Sequence, residues 1–307
     1  MNAPIQKSPK CKKIEVSLIP GDNKILTIPG NAFKFTYNSY NIEVNFCGIE
    51  TITITSNNDI KAELLWSTFL NIHMLQAFGI GYFYKIDGIA FSDSETESSE
   101  NLEKYANNIL SNLVGFFNSS EDFRDKNLSL FESNTINELL NETIITEFTQ
   151  IYQDLKIIFN GFWYQSADTK IPVDIRCANI IQCFEHFGRY IAKKYGEMVQ
   201  SGLSDNIKHI LKKYPLSYLL NNSLDEAIID SFTLKTSNTR NRIMHYDICI
   251  KNDFFSEIEC AGYSRVLHIY FRYVVLKLLK MEGGSLASEA NDQIEKWQQG
   301  ILKNQGC

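Results

Sequence analysis

The hydrophobic period of the chain changes partway along, and that change limits the folds open to it. Between residues 13 and 56, apolar and polar residues alternate. The runs are Ile14-Glu15-Val16-Ser17-Leu18-Ile19, Lys24-Ile25-Leu26-Thr27-Ile28, Phe33-Lys34-Phe35-Thr36-Tyr37, Asn41-Ile42-Glu43-Val44-Asn45-Phe46 and Thr51-Ile52-Thr53-Ile54-Thr55. A period of two sends alternate side chains to opposite faces of a sheet. Pro-Gly at 20–21 and again at 29–30 supplies turns. This segment predicts a small antiparallel sheet. From Leu102 onward the alternation gives way to apolar residues three and four apart, the spacing of amphipathic helices. Strands first and helices afterwards make an α+β fold.

Residues 58–80 predict a helix with Leu64, Leu65, Phe69, Met74 and Leu75 on its apolar side. Gly79-Ile80-Gly81 breaks it, and Tyr82–Phe91 returns as a strand. The acidic serine run from Ser92 to Asn101 reads as a boundary segment or a helix start rich in caps. A helix over 102–117 follows, with a polar stretch over 118–133. Long helices are expected over 135–163, 176–198, 203–213, 223–246 and 255–282. The tail carries Ile294, Trp297 and Ile301 at helical spacing, suited to a helix that docks on the bundle or on a partner. The expected domains are a β-rich one over 1–95, a helical connector over 96–133, a helical domain over 134–284 and a tail over 285–307.

Charge is unevenly placed. Residues 1–133 hold 11 Lys/Arg against 16 Asp/Glu, residues 134–285 hold 17 of each, and the whole chain is −6. That balance argues against a general nucleic-acid coat or a membrane-surface binder. The most apolar window, Leu64–Phe83, contains Asn71, His73 and Gln76 and falls short of a membrane span. No apolar core follows the first lysines, so the chain reads as soluble and cytoplasmic, with no membrane partner. The seven cysteines, at 11, 47, 177, 183, 249, 260 and 307, show no Cys-x2-Cys pair. Cys177, Cys183 and His186 fall on one predicted helix, whereas zinc sites draw closely spaced pairs from separate turns or elements. Free thiols are the better reading, and neither a metal nor a cofactor is expected.

The chemistry concentrates in Asn238-Thr239-Arg240-Asn241-Arg242-Ile243-Met244-His245. Leu224, Ile228 and Phe232 lead into it at helical spacing. Asn241 and His245 are four apart and share a helix face. Arg240 is five before His245, roughly 140° away around a helix. The two meet only if the arginine reaches back or the helix ends near the histidine. A guanidinium grips phosphate oxygens with a fixed fork of donors. An imidazole transfers protons near neutrality. Together they can move a proton beside a phosphodiester without a metal. An exposed basic helix end is the plainer reading of the same residues. Glu185, on the preceding predicted helix, either orients Arg240 or His245 or pairs with Arg189. Arg242 either contacts flanking phosphate or is solvated. His73, His186, His209 and His268 carry no paired motif and read as core or surface residues.

Arg240-Asn241-x3-His245, placed late in a helical region, resembles the signature of the HEPN superfamily, and its ApeA-like branch most closely. The resemblance covers residues 134 to 284. It implies an all-α HEPN bundle and a metal-independent endoribonuclease, in which the ribose 2′-hydroxyl attacks the adjacent phosphorus. It assigns catalytic roles to Arg240, Asn241 and His245, with Glu185 and Arg242 in support. It also implies RNA as substrate, a homodimer through the helical domain with two facing motifs, and anti-phage defence by abortive infection. A phage-derived trigger at the N-terminal domain would then set the enzyme off. Tyr246 directly follows His245, unlike the His-x-Tyr of HEPN toxins paired with nucleotidyltransferases. The alternatives are a catalytically silent HEPN module that binds RNA or a protein, and a helical dimerisation domain.

Overall fold

The computed structural model describes residues 8–19, 32–37, 40–47, 51–113, 129–131, 139–167, 171–220, 225–247, 253–281 and 286–305, the side chains at 33, 35, 37, 46, 47 and 300–305 excepted. The fold is α+β. The chain forms two compact units, 1–126 with 131–150, and 127–130 with 151–307.

In the first unit, β1 (Lys10–Ile19), β2 (Ala32–Tyr37), β3 (Tyr40–Cys47), β4 (Thr51–Lys61) and β5 (Lys85–Ser92) form one sheet in the order β2-β3-β4-β1-β5. Every pairing is antiparallel. The period-two pattern sets the register: Ile14 lies opposite Ile54 and Phe91, Val16 opposite Ile52, and Val44 opposite Ile54. These side chains form one buried face. Cys11 is buried too, although it is three residues from Ile14; a register shift between Cys11 and Lys13 resets the alternation.

Helix α1 (Ala62–Ile80) packs against β1 and β4. It begins four residues later than expected, because Ile60 and Lys61 still pair with Cys11 and Lys10. Fourteen of its nineteen residues are buried, so it is a core helix enclosed around its circumference rather than along one stripe. Of its buried polar residues, Asn71 donates through Nδ2 to Thr149 Oγ1 at 2.9 Å. No helix among the described residues is long and apolar enough to cross a membrane. The acidic serine run is tied down. Asp59 Oδ2 accepts hydrogen bonds from Ser94 Oγ, Glu95 N and Thr96 Oγ1. Ser98 then caps α2 (Ser99–Ser111), whose Leu102 and Ala106 are buried and whose Tyr105 meets Phe91. Helix α2 therefore belongs to the same unit as the sheet, and the compact division does not follow the expected boundaries at 95 and 134. The expected turns at 20–21 and 29–30 and most of 118–133 lie outside the described residues.

Helix α3 (Glu142–Ala167), kinked at Leu155, contains the division between the units. The second unit continues with α4 (Val173–Lys194), α5 (Leu203–Lys213), a 3-10 turn (Ser217–Leu220), α6 (Glu226–Met244), α7 (Glu257–Leu278) and α8 (Leu286–Gln305). A capping box starts α7: Ser256 Oγ accepts from Glu259 N, and Glu259 Oε2 accepts from Ser256 N. Helix α7 is the centre of this unit. Its Phe271 meets Phe159 and Phe162 of α3 and Phe184 and Phe187 of α4, with ring centroids 4.5 to 6.2 Å apart. The stripe expected on α4, Ile180, Ile181, Phe184, Phe187 and Ile191, is fully buried. Helices α4 and α5 meet closely at Gly188, where an added Cβ would lie 2.8 Å from Asn206 Cβ and 2.9 Å from its carbonyl oxygen. The tail forms α8, which packs on α7 with Ile294 buried.

Truncating Phe271 leaves a cavity that four other rings cannot collapse into. Phe271→Ala should cost about 3–5 kcal/mol, while Ile157→Ala, at 85 % exposure, should stay within about 0.5 kcal/mol. Urea melts of the two variants check this; similar losses would rule out Phe271 as the packing centre.

His73 yields a pH prediction. Its ring lies between Phe69 and Phe83, and Nε2 donates to the Tyr84 carbonyl at 3.0 Å. Burial pushes its pKa down to about 4, against smaller upward effects of the Tyr84 and Gln76 hydrogen bonds. The unfolded chain therefore binds a proton near pH 6.5 that the folded chain refuses until about pH 4. Stability is fully present above pH 6.5 and falls as pH drops through that window, by about 3 kcal/mol. His73→Gln should flatten this slope in denaturant melts between pH 7 and pH 4; an unchanged slope would contradict the assignment.

Candidate functional site

Helix α6 presents the motif. Its buried face is not the Leu224, Ile228, Phe232 series. Ile228 is exposed, Leu224 lies outside the described residues, and the buried positions are Ile229, Thr233, Thr236 and Thr239. Each threonine returns its hydroxyl to the preceding turn: Thr233 to Asp230 O, Thr236 to Phe232 O and Thr239 to Lys235 O. That satisfies the donor without an outside partner. Thr239 Oγ1 also accepts from Phe255 N at 2.8 Å, which fixes the approach to α7.

Arg240 follows directly, half-buried, with its guanidinium held on several sides. Nε donates to Gln182 Oε1 at 2.6 Å, Nη2 to Glu185 Oε2 at 3.3 Å, and Nη1 to Asn241 Oδ1 at 2.8 Å. Nη1 also lies 2.9 Å from His245 Nε2. A guanidinium has no lone pair to offer, so Nε2 is the acceptor in that contact and the imidazole proton sits on Nδ1. Helix α6 stops at Met244, and His245 is the C-cap residue with φ −109° and ψ 3°. That departure from helical geometry brings together two residues five apart. Tyr246 continues with φ 53° and is 83 % exposed.

Helix α4 supplies the other half. Gln182, Glu185, His186 and Arg189 are spaced three, one and three apart and share one face. Gln182 Nε2 donates to Glu185 Oε2 at 3.0 Å and lies 3.2 Å from His186 Nε2. Arg189 Nη2 donates to Glu185 Oε1 at 2.6 Å and to the Ser201 carbonyl at 2.9 Å. Glu185 thus contacts both Arg240 and Arg189. The Asn241 amide oxygen holds Arg240, and Asn241 meets His245 through the main chain, where His245 N donates to Asn241 O. Arg242 lies over the Phe254 ring at 4.2 Å.

Gln182 and His186 are the residues that motif reasoning passed over. Their spacing with Glu185 and Arg189 was visible, but it reads as an ordinary polar face until α6 is known to lie against it. Cys177 and Cys183 turn away from His186. Cys177 is hydrogen-bonded with Cys260, which together with burial pushes its pKa well up. Cys183 Sγ faces the Ile158 carbonyl, and burial pushes its pKa up to about 12. Among the described residues, no three His, Cys, Asp or Glu side chains cluster as metal ligands. No family model, no curated protein and no solved structure matches the chain.

The Glu185–Arg240 pair is enclosed, with side chains 12 % and 17 % exposed. Glu185→Ala and Arg240→Ala should each destabilise the fold by about 1–3 kcal/mol. The double variant should fall short of their sum by at least about 0.5 kcal/mol. Urea melts of the four proteins measure that coupling; additive losses would show that the pair does not act as one unit.

Proposed function

We propose that the Arg240–His245 cluster is the centre of a metal-independent endoribonuclease of HEPN type. The observation that carries this reading is the 2.9 Å contact between Arg240 Nη1 and His245 Nε2, on a guanidinium held by Gln182 and Glu185. A phosphate-binding group and a proton-transfer group are thereby held side by side without substrate.

In this reading a scissile phosphate takes the Arg240 donors now facing His245. His245 Nε2, released from that contact, accepts the proton of the ribose 2′-hydroxyl. The O2′–P bond forms, the P–O5′ bond breaks, and the products are a 2′,3′-cyclic phosphate and a 5′-hydroxyl. Arg240 stabilises the added negative charge on the pentacoordinate phosphorus. Asn241 keeps the guanidinium in plane, and Arg242 contacts the flanking phosphate. The leaving oxygen needs a proton. A homodimer through the helical region would supply it from the second copy's His245 across a two-fold axis. The reading has the enzyme act in the cytoplasm, and the resemblance implies abortive infection against phage, with a phage-derived trigger acting on the β-rich unit.

One observation favours a catalytically silent binding module instead. Four of the five N–H directions of a guanidinium are already used within the protein at Arg240. A site so committed to its own side chains fits an RNA- or protein-binding surface as well as a resting enzyme.

Cleavage of a labelled single-stranded RNA separates the two. The enzyme should cut in excess EDTA and leave cyclic phosphate ends. His245→Ala should lose at least about 100-fold in rate with its melting temperature kept within a few degrees. RNA bound but uncut by the wild type would favour the silent module. Cleavage that stops with chelator and returns with Mg²⁺ would overturn the metal-free mechanism.

A further inference from the structure

The second unit carries another concentration of cationic side chains, built between α4 and α7. Arg176 and Ile180 of α4 and Ser264, Arg265 and His268 of α7 line a cavity of about 10 Å³, close to the room one water or one oxygen atom needs. His268 is 5 % exposed. Its ring lies flat on Phe162 at 4.6 Å and edge-on to Trp163 at 5.6 Å. Neither ring nitrogen has a hydrogen-bond partner among the described residues, which is costly for a buried imidazole. One turn on, Arg272 is fully buried. Burial first, and then the charges of Arg272, Arg265 and Arg176, push the His268 pKa well down, so the ring is neutral and offers one N–H. No acidic side chain lines the cavity among the described residues. Arg176 sits in the first turn of α4, where the helix end adds partial positive charge.

We propose that this cleft binds a phosphate-type oxyanion, with one oxygen inserted against His268 and the others held at the mouth by Arg176 and Arg265. The size of the cavity selects this geometry, since a whole phosphate does not fit inside and a single oxygen does. The planar forks of two arginines at the rim match paired oxygens, which a spherical halide cannot present. Arg176 Nη2 is anchored on the Ile171 carbonyl and Arg265 lies over the Trp297 ring, so both guanidiniums are oriented beforehand. The site uses none of the residues of the Arg240 cluster and does not depend on the ribonuclease reading.

The test uses the full chain, labelled with ¹⁵N-histidine, titrated with inorganic phosphate at constant ionic strength against a sodium chloride arm. Phosphate should shift the His268 ring signals and raise the melting temperature by a few degrees at a tenfold excess over Kd. Arg265→Gln and Arg176→Gln should each weaken phosphate binding at least about tenfold. Arg265→Lys, which keeps the charge and loses the fork, should weaken it less and guards against a folding defect. Lys212→Gln, on another helix, should leave it unchanged. Equal effects of chloride and phosphate would overturn the proposal. So would phosphate shifts confined to the His245 and His186 signals, or phosphate binding that survives both arginine-to-glutamine variants.

Discussion

The packing of Phe271 against four phenylalanines governs the helical unit, because it sets the rotation of α4. With Phe184 and Phe187 turned toward α7, helical geometry carries Gln182, Glu185, His186 and Arg189 to a different side. A rotation of one residue, about 100°, would bury Glu185 against the rings and expose a phenylalanine. The close approach at Gly188 to Asn206 adds a second constraint, since no other residue fits that crossing without displacing backbone. Apolar packing on one face of α4 thus fixes where its polar face points, and α6 then meets that face.

The polar side of α4 receives a guanidinium that would be costly to desolvate alone. Glu185 offsets that cost by sharing its two oxygens between Arg240 and Arg189. Gln182 bridges, accepting from Arg240 and donating to Glu185. Such a densely bonded network is rigid, and rigidity is what a charge-stabilising site needs, since donors already in place have no reorganisation to undergo. The same unit uses cations differently at Arg176, Arg265 and Arg272. There the partner of a buried histidine is not supplied by any described side chain, and an external oxyanion completes the proposed arrangement.

Much of the architecture was legible in the residues. Alternation in 13–19, 41–45 and 51–56 gave both the strands and their buried face, because period two admits a single assignment of faces. Helices α4, α5, α6 and α7 fell within a few residues of their expected ends. Where the reading slipped, a partner distant in sequence decided the matter. Asn58 to Lys61 stayed in β4 through pairing with β1. The serine run was tied down by Asp59, 35 residues before Ser94. Thr233, Thr236 and Thr239 replaced Ile228 on the inner face of α6, which no hydrophobic count anticipates, because threonine hides its hydroxyl by bonding the preceding turn.

By itself the sequence determined the α+β order, the core stripe of α4 and the shared helix face of Asn241 and His245, since all three follow from periods and spacings within single elements. It also stated the two ways in which Arg240 and His245 could meet, a side chain that reaches back or an early helix end. Only the tertiary structure decided that α6 stops at Met244 and that Gln182 and Glu185 take hold of Arg240. It alone placed His268 among three arginines. Local periodicity reports which face of a helix is buried; it carries no information about which other helix that face meets, because the contact is settled by the packing of the whole unit.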